Sequence, residues 1–129
     1  MNLVQKNNWE SIEQFSDSFP HLNAELIQTS KGGFNSSAET YFCEEFIIDR
    51  RETKAAHLHH SSVQTNTLSL IFPNNNLSNY ISINNRDLSN NNQIIAFGDE
   101  EIFSRLPQNF SITTLSLKLD KLYEYIDEN

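Results

Sequence analysis

The sequence predicts a mainly β fold: a barrel or sandwich of short antiparallel strands, with a short N-terminal helix and a C-terminal exit helix. Apolar and polar residues alternate in several short runs, as at 67–72 and 111–119, which is the period of a half-buried strand. Turn-forming residues separate these runs about every ten residues, a spacing typical of sandwiches and barrels. A length of 129 residues suffices for one domain with its own core.

The N-terminal part predicts a short helix over 8–19. Trp9, Ile12 and Phe15 recur at helical spacing, Asn8 offers an N-cap, and Pro20 ends the helix. Such a helix either covers the open end of a barrel or acts as an arm that closes over a ligand. We therefore divide the chain into an N-terminal helix or arm (1–20), a barrel (21–119) and the start of a C-terminal linker or dimerisation helix (120–129).

The barrel segment predicts a series of strands joined by tight turns. A glycine pair, Gly32 and Gly33, predicts one hairpin turn, and Asn84 with Asn85 predicts another. Aromatic and branched residues in the segment 39–52 strongly indicate a strand. The strands are predicted, in chain order, at 22–30, 39–52, 54–60, 67–72, 80–83, 86–88, 93–97, 101–104 and 111–119.

A histidine pair in the 54–60 strand is the first candidate for chemistry. His57 and His59 lie two apart, so both rings leave the same side of a strand. A catalytic metal needs about three protein ligands. His21 lies upstream, no histidine follows His60, and the next acid is Asp87. Exposed or hydrogen-bonded histidines are therefore the default interpretation, and the sequence predicts no metal and no cofactor.

A ligand pocket is the alternative use of the same strands. Inward-facing aromatic residues of the early strands would line an apolar cavity for a small effector, with Trp9 as its cover. The candidate pocket residues are Trp9, Tyr41, Phe42, His57 and His59.

The composition excludes several classes of partner. A net charge of −8 opposes binding to phosphate backbones, so we expect no direct nucleic-acid binding by this segment. No apolar run is long enough for a membrane span, and the N-terminus has no signal-peptide pattern. The single Cys43 excludes an internal disulfide and suits a reducing cytoplasm.

The C-terminal segment predicts a strand that runs into a helix. Asp120 can cap this helix, and Leu122 and Ile126 follow four apart on one face, beside Tyr123. That stripe either forms a homodimer contact or folds back onto the barrel. The dimerisation candidates are Leu122, Tyr123 and Ile126.

The order of these parts resembles the N-terminal regulatory domain of AraC-type bacterial transcription regulators, a cupin-like β-barrel. A helix with Trp9 precedes a strand at 24–28, a later strand at 68–72 leads to the hairpin at 81–88, and the segment 115–122 passes from strand to helix. The resemblance implies a ligand-sensing and often dimer-forming domain. In that family the exit helix continues into a dimer interface and two DNA-binding helix-turn-helix units, and the present chain ends before them. It is expected to be either a fragment or a protein reduced to its sensor.

The resemblance also implies an enzymatic alternative, because some members of the wider cupin class use a His-x-His pair, a following Glu and a later His. Of this pattern only 57–59 is present. The sequence therefore predicts a non-catalytic effector-sensing or dimerisation domain, and the alternative is a small stand-alone metalloenzyme that uses His57 and His59.

Overall fold

The computed structural model describes residues 3–17, 24–74, 81–88 and 94–127. Within these ranges the chain forms eleven strands and two helices. In chain order they are β1 (Leu3–Trp9), α1 (Ile12–Asp17), β2 (Glu25–Gln28), β3 (Ser36–Phe42), β4 (Phe46–Thr53), β5 (His57–Ser62), β6 (Thr67–Pro73), β7 (Ile81–Ile83), β8 (Arg86–Leu88), β9 (Ile94–Phe97), β10 (Glu101–Leu106), β11 (Phe110–Lys118) and α2 (Leu119–Asp127).

These strands form two antiparallel sheets. The six-stranded sheet has the order β1-β3-β4-β11-β6-β9, and the five-stranded sheet has the order β2-β5-β10-β7-β8. The predicted class, a mainly β sandwich of short antiparallel strands with two short helices, is confirmed.

The main core lies between the two sheets. Ile71, Ile94 and Ile112 come from the six-stranded sheet, and Ile83 and Leu106 come from the five-stranded sheet. Each such side chain contributes roughly 1.5–3 kcal/mol by leaving water. A second cluster of Trp9, Phe15, Phe34, Ala38 and Ala55 closes the sandwich where α1 lies.

The predicted N-terminal helix was wrong in its first residues. Trp9 ends β1, which pairs with β3 along its whole length, and α1 begins only at Ile12. The cap is Ser11, whose Oγ accepts a hydrogen bond from the Gln14 amide at 3.2 Å, while the Gln14 side chain reaches back to the Glu10 amide at 2.9 Å. These two hydrogen bonds satisfy free amides at the start of the helix, as a capping box does, although the Gln14 side chain accepts from Glu10 and not from the cap residue Ser11. They set the helix start despite the helical spacing of the aromatic residues. Pro20 and Leu22 lie outside the described residues.

One turn prediction and one strand prediction also need correction. The glycine pair does not form a hairpin, because β2 and β3, which it joins, belong to different sheets. The segment 39–52 is not one strand: β3 and β4 pair with each other, and the Cys43 amide donates to the Phe46 carbonyl at 3.0 Å to close the turn. Two antiparallel strands that follow each other in the chain and have similar composition look like one long strand in the sequence.

Other predicted elements are confirmed. β7 and β8 pair across Asn84 and Asn85, whose φ values of 51° and 64° suit the two-residue turn that twists with its strands. β11 passes directly into α2, as predicted.

The alternating leucines of β11 face outward. Phe110 and Ile112 of this strand enter the core, so Leu115 and Leu117 lie on the opposite face. Leu115 pairs with Ile48 and Leu70 of the neighbouring strands. The six-stranded sheet therefore carries an outer apolar face in addition to its core face.

Candidate functional site

The inner faces of the two sheets become polar at one end of the sandwich. Arg51 of β4 pairs with Ala38 and with Ile112, both core residues, so it faces the space between the sheets. Asp49 lies two positions before it on the same face. From the other sheet, His57 pairs with the core residue Leu106 and therefore faces inward too. We call Asp49, Arg51, His57 and His59 the inter-sheet site.

This end of the sandwich is partly shielded from solvent. Asp49 and His59 face the opposing sheet, and each is neither fully buried nor exposed. Thr114 and Ser104, their pairing partners on the inner faces, are intermediate as well. These inner-face positions are therefore less shielded than the core residues Ile112 and Leu106.

Arg51 is a cation held among aromatic rings. Its guanidinium carbon lies 4.9 Å from the Phe15 ring centroid and 5.8 Å from that of Phe110. Its Nε is buried without a hydrogen-bond partner. Burial lowers the pKa of the guanidinium, and the charge of Asp49 opposes that shift. Asp49 itself accepts a hydrogen bond from the Thr40 hydroxyl at 3.0 Å.

The two histidines stack on the same side of β5, with ring centroids 6.4 Å apart. Burial, with a further effect of the Arg51 charge, lowers the pKa of His57 to about 4 and that of His59 to about 3. Both rings are therefore neutral at neutral pH. The Nε2 atoms of both are buried without hydrogen-bond partners.

The protonation of His57 follows from its one backbone contact. Nδ1 lies 3.3 Å from the carbonyl oxygen of Ala55, which can only accept a hydrogen bond. Nδ1 therefore carries the proton, and Nε2 presents a lone pair.

Aromatic rings form a continuous wall beside these groups. Trp9 meets Phe15 at 5.0 Å between centroids, and Phe15 meets Phe34 at 5.7 Å. His57 then contacts Phe34 at 5.4 Å and Phe110 at 5.5 Å. Trp9 thus belongs to the same aromatic wall as His57, one end of which packs on α1.

Tyr41 does not join the other predicted pocket residues, and its placement between the sheets is corrected here. It pairs with Ile48 on the outer apolar face, and its hydroxyl donates to the Glu39 carboxylate at 3.0 Å. This hydrogen bond raises the pKa of Tyr41. Phe42, the next residue, faces inward and pairs with Ile47 at the solvent end. Neighbours in a strand point to opposite faces, so the two rings cannot line one pocket.

Arg51 is the functional candidate that sequence reasoning missed. The run 49–52 mixes charges of both signs, which is typical of a solvated strand end. Arg51 lies two residues before Thr53, which is 2% exposed, so both side chains point to the buried face of β4. This relation could have identified Arg51, but it can be recognised only once the bounds of β4 are known.

The donor set does not fit a divalent metal ion. Within the described ranges no three His, Cys, Asp or Glu side chains gather closely enough to hold one. Two histidines are present, and the neighbouring group is the positive Arg51, which repels a cation.

Surface clefts lie on the outside of both sheets. One of about 710 Å³ is lined mainly by outward residues of the five-stranded sheet, among them Leu58, His60 and Phe103, and its lining also includes His59 and Ser104. There the His60 ring stacks on Phe103 with centroids 4.1 Å apart. A smaller cleft of about 320 Å³ on the six-stranded sheet is lined mainly by polar and charged residues.

The predicted dimerisation residues lie on α2. Leu122 is half-buried, and Tyr123 and Ile126 are each 58% exposed. Asn66 fixes the start of the helix, because its backbone carbonyl and its side-chain oxygen accept hydrogen bonds from the amides of Leu119 and Asp120 at 2.9 and 3.1 Å. No helix in the described part of the chain is both long and apolar enough to cross a membrane.

Comparison with known proteins yields structural likenesses alone. No protein-family model matches the chain, and no curated protein matches it significantly. An RmlC-like cupin from Shewanella frigidimarina is similar over 78% of this chain and 89% of its own, with 10% identity and a TM-score of 0.49. The EutQ protein of Clostridium difficile is similar over 88% and 95% respectively, with 13% identity and a TM-score of 0.47. With both TM-scores below 0.5, neither likeness assigns a site or an activity.

Proposed function

We propose that the chain is a non-catalytic sensor domain that binds a small-molecule effector between its two sheets, in the manner of the regulatory domain of AraC-type transcription regulators. The observation that carries the proposal is the inter-sheet site. Its inner-face residues are polar, and three of their buried nitrogen atoms lack hydrogen-bond partners. The remaining support is the order of elements that resembles the AraC type.

The unpartnered nitrogens favour a bound ligand over a purely structural role. Leaving a buried donor or acceptor unsatisfied costs about 1–3 kcal/mol, and folded proteins keep few such groups. Three of them, on Arg51, His57 and His59, lie at one site. A ligand that supplies their partners recovers this cost on binding, which stabilises the folded state by mass action.

A thermal-shift screen of small metabolites tests this proposal. Ser61 lies two positions beyond His59 on the inner face, and Ser62 is the exposed residue that follows it. A compound that raises the melting temperature of the wild type should fail to do so in Ser61→Phe, where the added ring projects between the sheets. The same compound should still raise the melting temperature of the matched control Ser62→Phe. A screen without any stabilising compound, or an equal shift in both variants, contradicts the proposal.

The AraC assignment has its own test. Two helix-turn-helix units encoded directly after Asn129 would support it, and a different downstream domain would contradict it. The metalloenzyme alternative is tested by elemental analysis of protein purified without an affinity tag. It requires a stoichiometric transition metal that is lost on His57→Ala.

Homodimer formation is the second part of the proposal, with a second copy of this chain as the partner. The observation that favours it is the outer apolar face, where Leu68, Leu70, Leu115 and Leu117 pair in two rows beside α2. These rows contain no charged side chain. Although each copy has a net charge of −8, two copies can therefore meet there without placing like charges against each other.

Sedimentation velocity tests the dimer. Leu117→Asp within these rows and Leu122→Asp on α2 should each convert the dimer to a monomer without loss of the folded β signal in circular dichroism. The matched control Glu124→Ser, an exposed residue of the same helix, should leave the dimer intact. A monomeric wild type, or a dimer in Leu122→Asp, contradicts this part of the proposal.

A further inference from the structure

The cleft on the outside of the five-stranded sheet combines exposed apolar side chains with one arginine, and we call it the outer cleft. Three of its lining residues, Ile27, Leu58 and Phe103, are 64%, 42% and 53% exposed. Arg105 lines the same cleft and takes part in none of the ion pairs among the described residues. A largely apolar cleft of about 710 Å³ with a few polar groups has the size and lining of a small-molecule site.

The sheet register fixes where these side chains lie relative to one another. On β10 and β5, Arg105 pairs directly with Leu58, and Phe103 pairs with His60. Ile27 of β2 pairs with Leu58 from the other side and extends the apolar surface. Arg105 and Phe103 are two positions apart on one face of β10, which separates their Cα atoms by about 6.8 Å. One small ligand can therefore contact the guanidinium at one end and the Phe103 ring at the other.

The Phe103 ring is held in place from one side. The His60 ring stacks on it, with centroids 4.1 Å apart and planes inclined by 7°. His60 itself lies between two carboxylates, those of Glu25 and Glu101, at 3.7 and 3.6 Å from its two ring nitrogens. A ring that is already fixed but still half-exposed loses little side-chain freedom when a ligand packs against it.

We infer that the outer cleft binds a small monocarboxylate with an aromatic ring, its carboxylate on Arg105 and its ring against Phe103 and Leu58. This site lies outside the space between the sheets, so the inference goes beyond the proposed sensor function and does not depend on it. A carboxylate matches the planar guanidinium with two parallel, charge-assisted hydrogen bonds. Two aromatic rings in contact stabilise each other beyond the effect of the area that they bury.

The charges around the outer cleft disfavour other ligand classes. A cation would meet Arg105, and a neutral aromatic compound would leave its guanidinium without a counter-charge. Glu25 lines the far side of the cleft on β2, two strands or about 9.6 Å from β10. A dicarboxylate or a phosphate dianion would bring a second negative charge towards Glu25 and against the net charge of −8. A single carboxylate beside Arg105 stays clear of Glu25.

Calorimetric titration with three matched compounds tests the inference. 3-Phenylpropanoate has both the carboxylate and the ring, 3-phenylpropanamide lacks the charge, and butanoate lacks the ring. 3-Phenylpropanoate should bind and shift the imidazole ¹⁵N resonances of His60, but not those of His57 and His59. Each of the other two compounds should bind at least about tenfold more weakly, because it loses the charge-assisted hydrogen bonds or the ring contact. No binding of 3-phenylpropanoate, or equal binding of either other compound, overturns the inference.

Variants on the outer faces of the two sheets locate the site. Arg105→Met should weaken binding of 3-phenylpropanoate by about 10- to 100-fold, and Phe103→Ala by about tenfold. Both side chains are exposed, so both variants should fold. Arg50→Gln removes an exposed arginine from the six-stranded sheet and is the matched control, which should bind like the wild type. Binding that survives both Arg105→Met and Phe103→Ala overturns the inference.

Ser61→Phe separates the outer cleft from the space between the sheets. Its added ring projects between the sheets, so this variant should bind 3-phenylpropanoate like the wild type. Loss of binding in Ser61→Phe would place the compound between the sheets and overturn the inference. That result would leave the sensor function standing, because an effector between the sheets is expected to lose its effect in this variant.

Discussion

Lowering the pH from 7 to 5 should destabilise the fold strongly, because His57 and His59 are held neutral between the sheets. The pKa of a histidine in the unfolded chain is 6.5, and in the folded state the values are about 4 and about 3. Between these limits the unfolded state binds more protons than the folded one. Stability is therefore complete above pH 6.5 and is lost as the pH falls towards the folded pKa values.

The size of the loss follows from the width of this window. One pKa unit corresponds to about 1.4 kcal/mol, so the one and a half units between pH 6.5 and 5 cost each histidine about 2 kcal/mol. Together the two rings should lower the free energy of unfolding by about 4 kcal/mol. Domains of ordinary stability have about 5–15 kcal/mol in total, so this loss is easily measured.

Urea unfolding at pH 7, 6 and 5, followed by circular dichroism, measures this effect. The double variant His57→Gln/His59→Gln should lose most of the pH dependence. His60→Gln, which removes the outward ring between Glu25 and Glu101 on the same strand, is the control and should retain it. A wild type whose free energy of unfolding stays constant between pH 7 and 5 would refute the burial of neutral histidines.

Three further predictions concern stability and use the same urea assay. Phe110→Ala should cost about 3–5 kcal/mol, because its ring is 1% exposed; Phe103→Ala, at 53% exposed, should cost far less, and equal costs would contradict the core assignment. Gly98→Ala should cost about 1–3 kcal/mol, because its Cβ would lie 2.8 Å from the Gln64 carbonyl oxygen, and an unchanged midpoint would contradict this packing. Arg51→Met should leave the ligand-free protein as stable or up to about 4 kcal/mol more stable, since the guanidinium is buried and its Nε has no hydrogen-bond partner; a loss above about 2 kcal/mol would instead give Arg51 a structural role.

The sequence alone predicts the fold class because strand periodicity and asparagine turns are local signals. The turn at Asn84 and Asn85 needs positive φ at both residues, and asparagine is the residue that tolerates it. The helix start was missed because two local signals compete. The aromatic spacing from Trp9 predicts an earlier helix start, whereas the hydrogen bonds that Ser11 and Gln14 accept set the start at Ile12.

The site was harder to predict than the fold, because it depends on which face of each strand is buried. The alternating leucines of β11 resemble a core face, yet Phe110 and Ile112 take that role and Leu115 faces outward. If a strand is displaced by one residue, every side chain moves to the other face of the sheet. Because the sequence does not show which face is buried, it did not identify Arg51 as an inward residue and wrongly predicted that Tyr41 points between the sheets. The pairing of His57 and His59 was predictable because it needs only the two-residue period.

The ring nitrogens of the histidines offer the most direct test of the central claim that small molecules bind between the sheets. Imidazole ¹⁵N resonances should be recorded before and after adding a compound that raises the melting temperature. The account predicts large shifts for His57 and His59 and little change for His60, which lies on the outer face of the same strand. Shifts confined to His60, or none at any of the three rings, would contradict it.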